Sequence, residues 1–426
     1  MVKTLDSISH SSDDDNVPRE DHALSISALT GVRVIEIGQG VSAAFCARVL
    51  ADYGASVLKI EHPEGGDATR GWGPFPKDEP HPEKSGTFFA LNAGKRSITL
   101  DVGSEHGREL LFELLADADL LVENNSPARM REWGIDYETL SARFPRLIMV
   151  SITPFGQTGP YADWKGHDLN AYHLTAAGSR YCGKPDLEPL EHGAFSADYF
   201  GGYVAVTWAL ASLFAQDELG GEHIDVSCAE AIVATFTGCQ NIADHVLNGT
   251  IAKRTGVGMA LGAPATILPC RNGYVWMMAL ETSQWKGLVR AMGNPEWAQV
   301  ELFDSMFSRA QNADLIYSMM REWTAGLDKQ QIMDLCQANG CPSTAVYTIE
   351  DAASLEHLKQ RSYFKELEHP ALGAIRTLGA PIHLPDAPGG ATRAAPLLGE
   401  HNGETYRNRL GIDDSRLEAL RADGVI

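Results

Sequence analysis

Two shortages narrow the field before any motif is considered. The longest apolar run, Tyr203 to Ala215, falls short of the roughly 20 residues a membrane-spanning helix needs, so no span is expected. Basic residues are in deficit: 35 Lys and Arg face 56 Asp and Glu, a net charge of −21. A surface that acidic repels phosphate backbones and anionic lipid, which argues against nucleic-acid and membrane partners. The seven cysteines are scattered and none forms CxxC; Cys336 and Cys341, the nearest pair, lack His or Cys companions at metal spacing, so no metal site is expected. The opening MVKTLDSISHSSDDDN has no apolar core of the secretory kind and is rich in Ser and Asp, so residues 1–28 read as a disordered extension on a cytoplasmic protein. What remains, 426 residues at 44% hydrophobic and 21% charged, is an ordinary globular composition, long enough for a large core and more than one domain.

From Gly31 onward, short β-rich runs alternate with helical stretches, the pattern of parallel βαβ units with helices on both faces. Strands are predicted at 32–37, 56–61, 97–101, 120–123, 147–152 and 224–227, and a helix at 42–53. Ser104 can cap a helix whose Leu110, Leu111, Leu114 and Leu115 form one stripe. The stretch 201–214 is apolar nearly all round and is predicted to be an interior helix. After it the texture changes: a strand at 273–279, then mostly charged helix over 283–338, suggests a smaller α+β domain. The tail beyond Tyr363 is rich in Pro and Gly and is expected to cross back over the surface before two short helices. The expected class is α/β: a large parallel-sheet domain over 29–227, a linker and small α+β domain over 228–345, and a return segment over 346–426 that completes the large domain.

Gly38-Gln39-Gly40-Val41-Ser42-Ala43 lies between the first strand and its helix, and Glu61 ends the next strand 21 residues after Gly40. In form this is the dinucleotide fingerprint, glycines for close backbone approach and a helix N-terminus for an anion. A plain tight turn, a nicotinamide or flavin site, and another phosphate-bearing ligand all fit it. Lys95, Arg96, Arg129, Arg131 and Lys165 are basic residues placed where strands meet loops, suited to hold a phosphorylated ligand or merely solvated. Asp198 stands three residues before Gly201-Gly202 and the apolar helix. There it reads as a reactive carboxylate with the glycines clearing room for substrate, or as a simple helix cap. His167, in the polar loop GPYADWKGHDLNAY, and Glu281, at the end of the 273–279 strand, are candidate proton carriers or spectators.

Together these segments resemble the class III CoA-transferase family, which also contains α-methylacyl-CoA racemases, carnitine CoA-transferases and formyl-CoA transferases. The markers run from Leu29 to Ile426: LTGVRVIEIGQGVSAAFCARVLADYGASVLKIEHPEGGDATRGW, NAGKRSITLD, LLVENNSP, PFGQTGPYAD, FSADYFGGY and APLLGEHNGET with GVI. Several such segments in order are far more specific than a glycine turn, and the resemblance displaces the nicotinamide reading.

The resemblance implies a Rossmann-like large domain that holds coenzyme A as its acyl-CoA substrate, and two chains interlocked as a homodimer. Val41, Ser42, Lys95, Asn124 and Lys165 match positions near CoA. His62 and Glu132 stand where relatives carry Arg, so phosphate contacts are expected to shift to Arg96, Arg129 or Arg131. Asp198 matches the family's nucleophile, which forms an aspartyl anhydride and then an aspartyl-CoA thioester before a carboxylic acid takes the CoA. The segment with Gly256, Gly258 and Gly262 resembles the glycine loop that closes over that site. His167, 31 residues before Asp198, and Glu281 match the residues that racemases of the family pair with their aspartate, so α-proton chemistry stands as the alternative. A relative that binds CoA without turnover is the alternative of another kind.

Overall fold

The structure, a computed structural model, describes residues 27–256, 262–387 and 389–426. Most of the expected N-terminal extension, and Gly258, therefore lie outside the described residues.

Six strands form one parallel sheet: β1 (Arg33–Glu36), β2 (Ser56–Glu61), β3 (Arg96–Thr99), β4 (Leu120–Glu123), β5 (Ile148–Thr153) and β6 (His223–Ser227), in the order β3-β2-β1-β4-β5-β6. Val34 of β1 pairs with Val57 on one side and Leu120 on the other. Because helices cover both faces, the central strands are buried along their whole length, and β4 and β5 carry no exposed residue. On one face α1 (Ser42–Asp52) and α8 (Ser196–Leu219) pack over Val34, Val57, Leu120 and Ile152. On the other, α3 (Glu105–Leu115), α4 (Pro127–Trp133) and α5 (Tyr137–Arg143) cover Ile35, Leu58, Leu121 and Met149. The expected Ser104 cap is present, its hydroxyl accepting the Gly107 N–H at 3.0 Å, and the four leucines of α3 are buried.

One expectation needs correction. The helix read as interior, α8, leaves Trp208, Phe214 and Leu219 exposed at 59%, 95% and 76%. Its apolar residues run all round because only one side meets the sheet of its own chain. That face is available for another surface.

The second unit is an antiparallel sheet of β7 (Ala265–Cys270), β8 (Gly273–Met278) and β9 (Ser343–Val346), with α11 (Thr282–Ala291), α13 (Ala313–Ala325) and α14 (Lys329–Ala338) packed around Val275, Met277, Leu288 and Ile332. A hairpin of β10 (Phe364–His369) and β11 (Gly373–Leu378) follows. The chain then returns along β3: His401 N–H donates to Ser97 O at 2.9 Å, Tyr406 Oη to Thr99 O at 2.6 Å, and Asp101 N–H to Val425 O at 2.8 Å. The tail ends in a π-helical turn, Gly403–Arg409, and the α-helix Asp414–Ala422.

Candidate active site

Strand order reverses between β1 and β4, so the loops leaving their C-terminal ends diverge and open a crevice. A cleft of about 590 Å³ lies there, lined by Gln39 to Ser42, Trp72, Asn124, Arg129, Lys165, His167 and Asp198 among others. A second cavity of about 320 Å³ adjoins it, sharing Gln39, Asn125 and Arg129 and bounded by His62, Asp101 and Trp133.

The glycine turn is built for closeness. A Cβ on Gly38 would lie 2.3 Å from the Ala43 Cβ and 2.9 Å from Asn124 Oδ1, and Gly40 has φ +74°. Asn124 clamps the turn: Oδ1 accepts the Gln39 N–H at 2.9 Å, while Nδ2 donates to Gln39 O at 2.6 Å and Ser42 Oγ at 3.0 Å. Asp67 Oδ1 accepts the Gly40 N–H at 3.3 Å. Two turn amides are thus committed to the protein. Val41 and Ser42, which open α1 and line the cleft, are amide donors at the helix N-terminus with no acceptor among the described residues.

Asp198 is the third residue of α8, so it is not the helix cap. The chain enters α8 through Ala194 and Phe195, both left-handed with φ 56° and 55°, which turns the first helical residues abruptly into the cleft. The Asp198 N–H donates to Asp168 Oδ1 at 3.1 Å. Burial, then the charge of Asp168, pushes the Asp198 carboxyl up to about 7. A carboxylate this basic is a stronger nucleophile or base than an exposed aspartate when ionised, and near neutrality it is available in both forms.

The Gly201-Gly202 pair does not clear room for substrate, contrary to expectation. A Cβ at 201 would meet Cys228 Sγ at 2.5 Å, and one at 202 would meet Phe45 at 2.9 Å and Ser42 O at 3.0 Å. The glycines let α8 press against α1 and the Cys228–Ile232 helix, and that close packing fixes where Asp198 stands.

The fold brings Val41, Ser42, Asn124, Lys165, His167 and Asp198 to one cleft. It takes others elsewhere. Lys95 is wholly buried, its ammonium on Glu36 Oε2 at 2.7 Å, Ala44 O at 2.8 Å and Asn92 Oδ1 at 2.8 Å. Arg96 opens β3, so it lies at the opposite end of the sheet from the crevice, 3.4 Å from Glu404. Arg131 is exposed and 3.5 Å from Asp163. Glu281 precedes α11 in the second unit, where its N–H donates to Gln284 Oε1 at 3.1 Å. Gly262 packs on Leu280 and Met306, and Gly256 faces Pro185. None of these lines the cleft of its own chain.

Three contributors went unassigned in the sequence. Trp72 lines the cleft and stacks on Phe195 at 5.4 Å and 11°; a lone Trp in a Gly/Pro-rich loop was the only signal. Asp168 and Asp67 act through backbone amides 30 and 27 residues away, which no local pattern reveals.

The doubly wound sheet sets a carboxyl pushed up to about 7 in one cleft with the glycine turn, an arrangement of ligand-binding α/β proteins, and sequence comparison gives the chain a family. The chain belongs to CoA-transferase family III, whose profile matches residues 29–402. It is 31% identical to the succinyl-CoA–D-citramalate CoA-transferase of Chloroflexus aurantiacus over 93% of this chain and 98% of that one. It is also 31% identical to the succinate–glutarate CoA-transferase of Agrobacterium fabrum over 88% and 94%, and 30% identical to a formyl-CoA:oxalate CoA-transferase of Streptomyces avermitilis over 94% and 99%. A solved CaiB/BaiF family protein from Brucella suis superposes with a TM-score of 0.79 at 30% identity, covering 90% of this chain and 99% of that one. CoA transfer is therefore the general activity of this chain's family, and CoA thioesters are its substrates.

Proposed function

We propose that this chain moves CoA from an acyl-CoA donor to a free carboxylic acid, with Asp198 as the covalent nucleophile. The observation that carries this reading is the placement of a half-buried carboxyl, pushed up to about 7, in the cleft that the Val41–Ser42 turn also lines. The ionised Asp198 attacks the thioester carbonyl; the C–S bond breaks, CoA leaves as thiolate, and a mixed anhydride remains. The thiolate then attacks the aspartyl carbonyl, releasing the donor acid as carboxylate and leaving an aspartyl-CoA thioester. An acceptor carboxylate takes the CoA by the reverse sequence, restoring Asp198.

In this reading Val41, Ser42 and Lys165 contact CoA directly, Asn124 through the turn it shapes, and the adjoining cavity with His62 and Arg129 takes the nucleotide end. The similar proteins act, by their names, on succinyl, citramalate, glutarate, formyl and oxalate groups. Short carboxylic acids, dicarboxylates among them, are accordingly the proposed donors and acceptors, with Arg129 and Lys165 as cations lining the cleft. The proposed setting is the cytoplasm, in keeping with six unpaired cysteines among the described residues. We further propose a homodimer in which a second copy covers the exposed face of α8 and Val246 and Leu247, exposed at 74% and 79%. That copy would also supply Glu281, Gly256 and Gly262, none of which lines the cleft of its own chain.

A second reading has one observation in its favour: His167 lines the same cleft as Asp198, as a pair of bases for α-proton exchange would require. The deciding experiment is incubation with succinyl-CoA in deuterated buffer, then with 2-methylacyl-CoA. Transfer predicts a hydroxylamine-sensitive adduct on Asp198 and movement of CoA to added glutarate. Rapid α-deuteration of the 2-methylacyl-CoA with no covalent species would overturn it.

A further inference from the structure

We propose that Asp168 is a positioning residue for Asp198, capping the first turn of α8 from a neighbouring helix and setting the charge that faces the reactive carboxyl. The inference rests on the reading of Asp198 as the reacting group. A helix leaves its first N–H groups without partners, and the cap residue's side chain ordinarily accepts one of them. At α8 the cap position is Phe195, which has no acceptor and is held in a left-handed conformation. The orphaned amide of the third helical residue belongs to Asp198 itself. Asp168 takes the task in place of the missing cap: it opens α6 (Asp168–Leu174), is buried, and its Oδ1 receives the Asp198 N–H at 3.1 Å.

Two consequences follow from one contact. The hydrogen bond fixes the Cα of Asp198, and hence the origin of its side chain, at the point where α8 enters the cleft. The same carboxylate brings a negative charge next to the half-buried Asp198, and the charge opposes ionisation of the neighbour. The other groups facing Asp198 do not offset it. His167 comes from the same end of α6 and Tyr199 is next along α8; the Cys228 thiol, on the helix after β6, is held neutral by burial. Arg129 and Lys165 line the same cleft, and the charge that acts on the Asp198 carboxyl is that of Asp168.

The two effects separate by substitution. Asp168→Asn keeps Oδ1 as acceptor and removes the charge; Asp168→Ala removes both. We expect Asp168→Asn to keep kcat within about fivefold while the acid limb of kcat/KM for succinyl-CoA moves to lower pH by about one unit, since losing a like charge makes Asp198 easier to ionise. Asp168→Ala should lose kcat on the order of 10- to 100-fold, with KM for succinyl-CoA changed by less than about threefold. A merely structural role would move neither the acid limb nor the kcat-to-KM split. Should Asp168→Ala fail to fold, the limb of Asp168→Asn decides alone. An acid limb in Asp168→Asn coincident with that of the parent overturns the proposal. Asp198→Ala, run alongside, separates the underlying reading: turnover and adduct retained there would remove Asp198 from the chemistry, whatever the Asp168 variants do.

Discussion

Lys95 Nζ lies 2.7 Å from Glu36 Oε2, and both side chains are wholly buried. The other oxygen of Glu36 receives Lys59 at 2.6 Å, and Lys59 in turn reaches Gly38 O at 3.0 Å and Asp67 at 2.8 Å. A carboxylate shared by two lysines thus underlies the glycine turn, with every charge countered inside the protein. Such groups contribute modestly as pairs, but removing one partner leaves a buried charge uncompensated. Lys95→Met is expected to lower stability by about 3–5 kcal/mol, measured by urea denaturation. Adding Glu36→Gln should recover part of the loss. A Lys95→Met protein with parental stability and weakened CoA binding would instead make Lys95 a ligand contact.

Asn124 spends its whole side chain on the turn, with three hydrogen bonds to Gln39 and Ser42. Replacing it by Ala frees the Gln39 peptide and loosens the Val41 and Ser42 amides that open α1. CoA affinity, read by calorimetry, should fall on the order of 10- to 100-fold, about 1–3 kcal/mol. Single-turnover adduct formation at saturating acyl-CoA should change far less. Equal loss in both measurements would place Asn124 in the chemical step.

How much of this was visible in the sequence depends on the range of the interaction. The six parallel strands follow from local apolar runs separated by helical stretches, and β2 and β4 have the predicted bounds because each is a short Val/Ile/Leu run ending in Glu. The turn, His167 and Asp198 were legible as candidates because each follows or precedes a recognisable element, whereas Asn124 was legible only through the resemblance to the family. Lys95 was legible only as a basic residue near a strand. Its sequence neighbours do not tell that Glu36, 59 residues earlier, faces it inside the core. The Gly201-Gly202 pair was misread for the same reason: glycine signals close approach, but what approaches, here Cys228 and α1, is set by packing. The all-round apolarity of α8 likewise leaves open whether sheet or a second surface covers each side.

Glu123, at the end of β4, is wholly buried, with Oε2 accepting the Asn125 N–H at 2.6 Å and Oε1 without a hydrogen-bond partner among the described residues. Burial pushes its carboxyl up to about 7. The folded chain therefore binds this proton more tightly than the unfolded chain, in which an ordinary glutamate titrates near 4.3. The stability it contributes is present below about pH 4 and is lost as pH rises through about 7. Glu123→Gln removes that ionisation, so the variant should gain in melting temperature relative to the parent at pH 8 and gain little at pH 5. A difference that does not change between the two pH values would show that Glu123 stays ionised in its pocket.

The pH–rate profile separates the two chemistries open to Asp198, because they require different protonation states of the cleft. In CoA transfer the nucleophile must be ionised and no second group need carry a proton. Since the Asp198 carboxyl is pushed up to about 7, kcat/KM should rise with pH through about 7 and level off above it. In α-proton exchange one member of the His167–Asp198 pair must accept a proton while the other donates, so the rate should fall on both sides of a maximum. Substitution sharpens the contrast. His167→Ala should leave the transfer profile in shape and lower its plateau by less than about tenfold, whereas it should abolish exchange. Asp198→Asn should remove transfer and adduct together. We expect a single acid limb near pH 7 that survives His167→Ala and moves with Asp168→Asn; a bell-shaped profile that collapses in His167→Ala would assign the cleft to proton exchange.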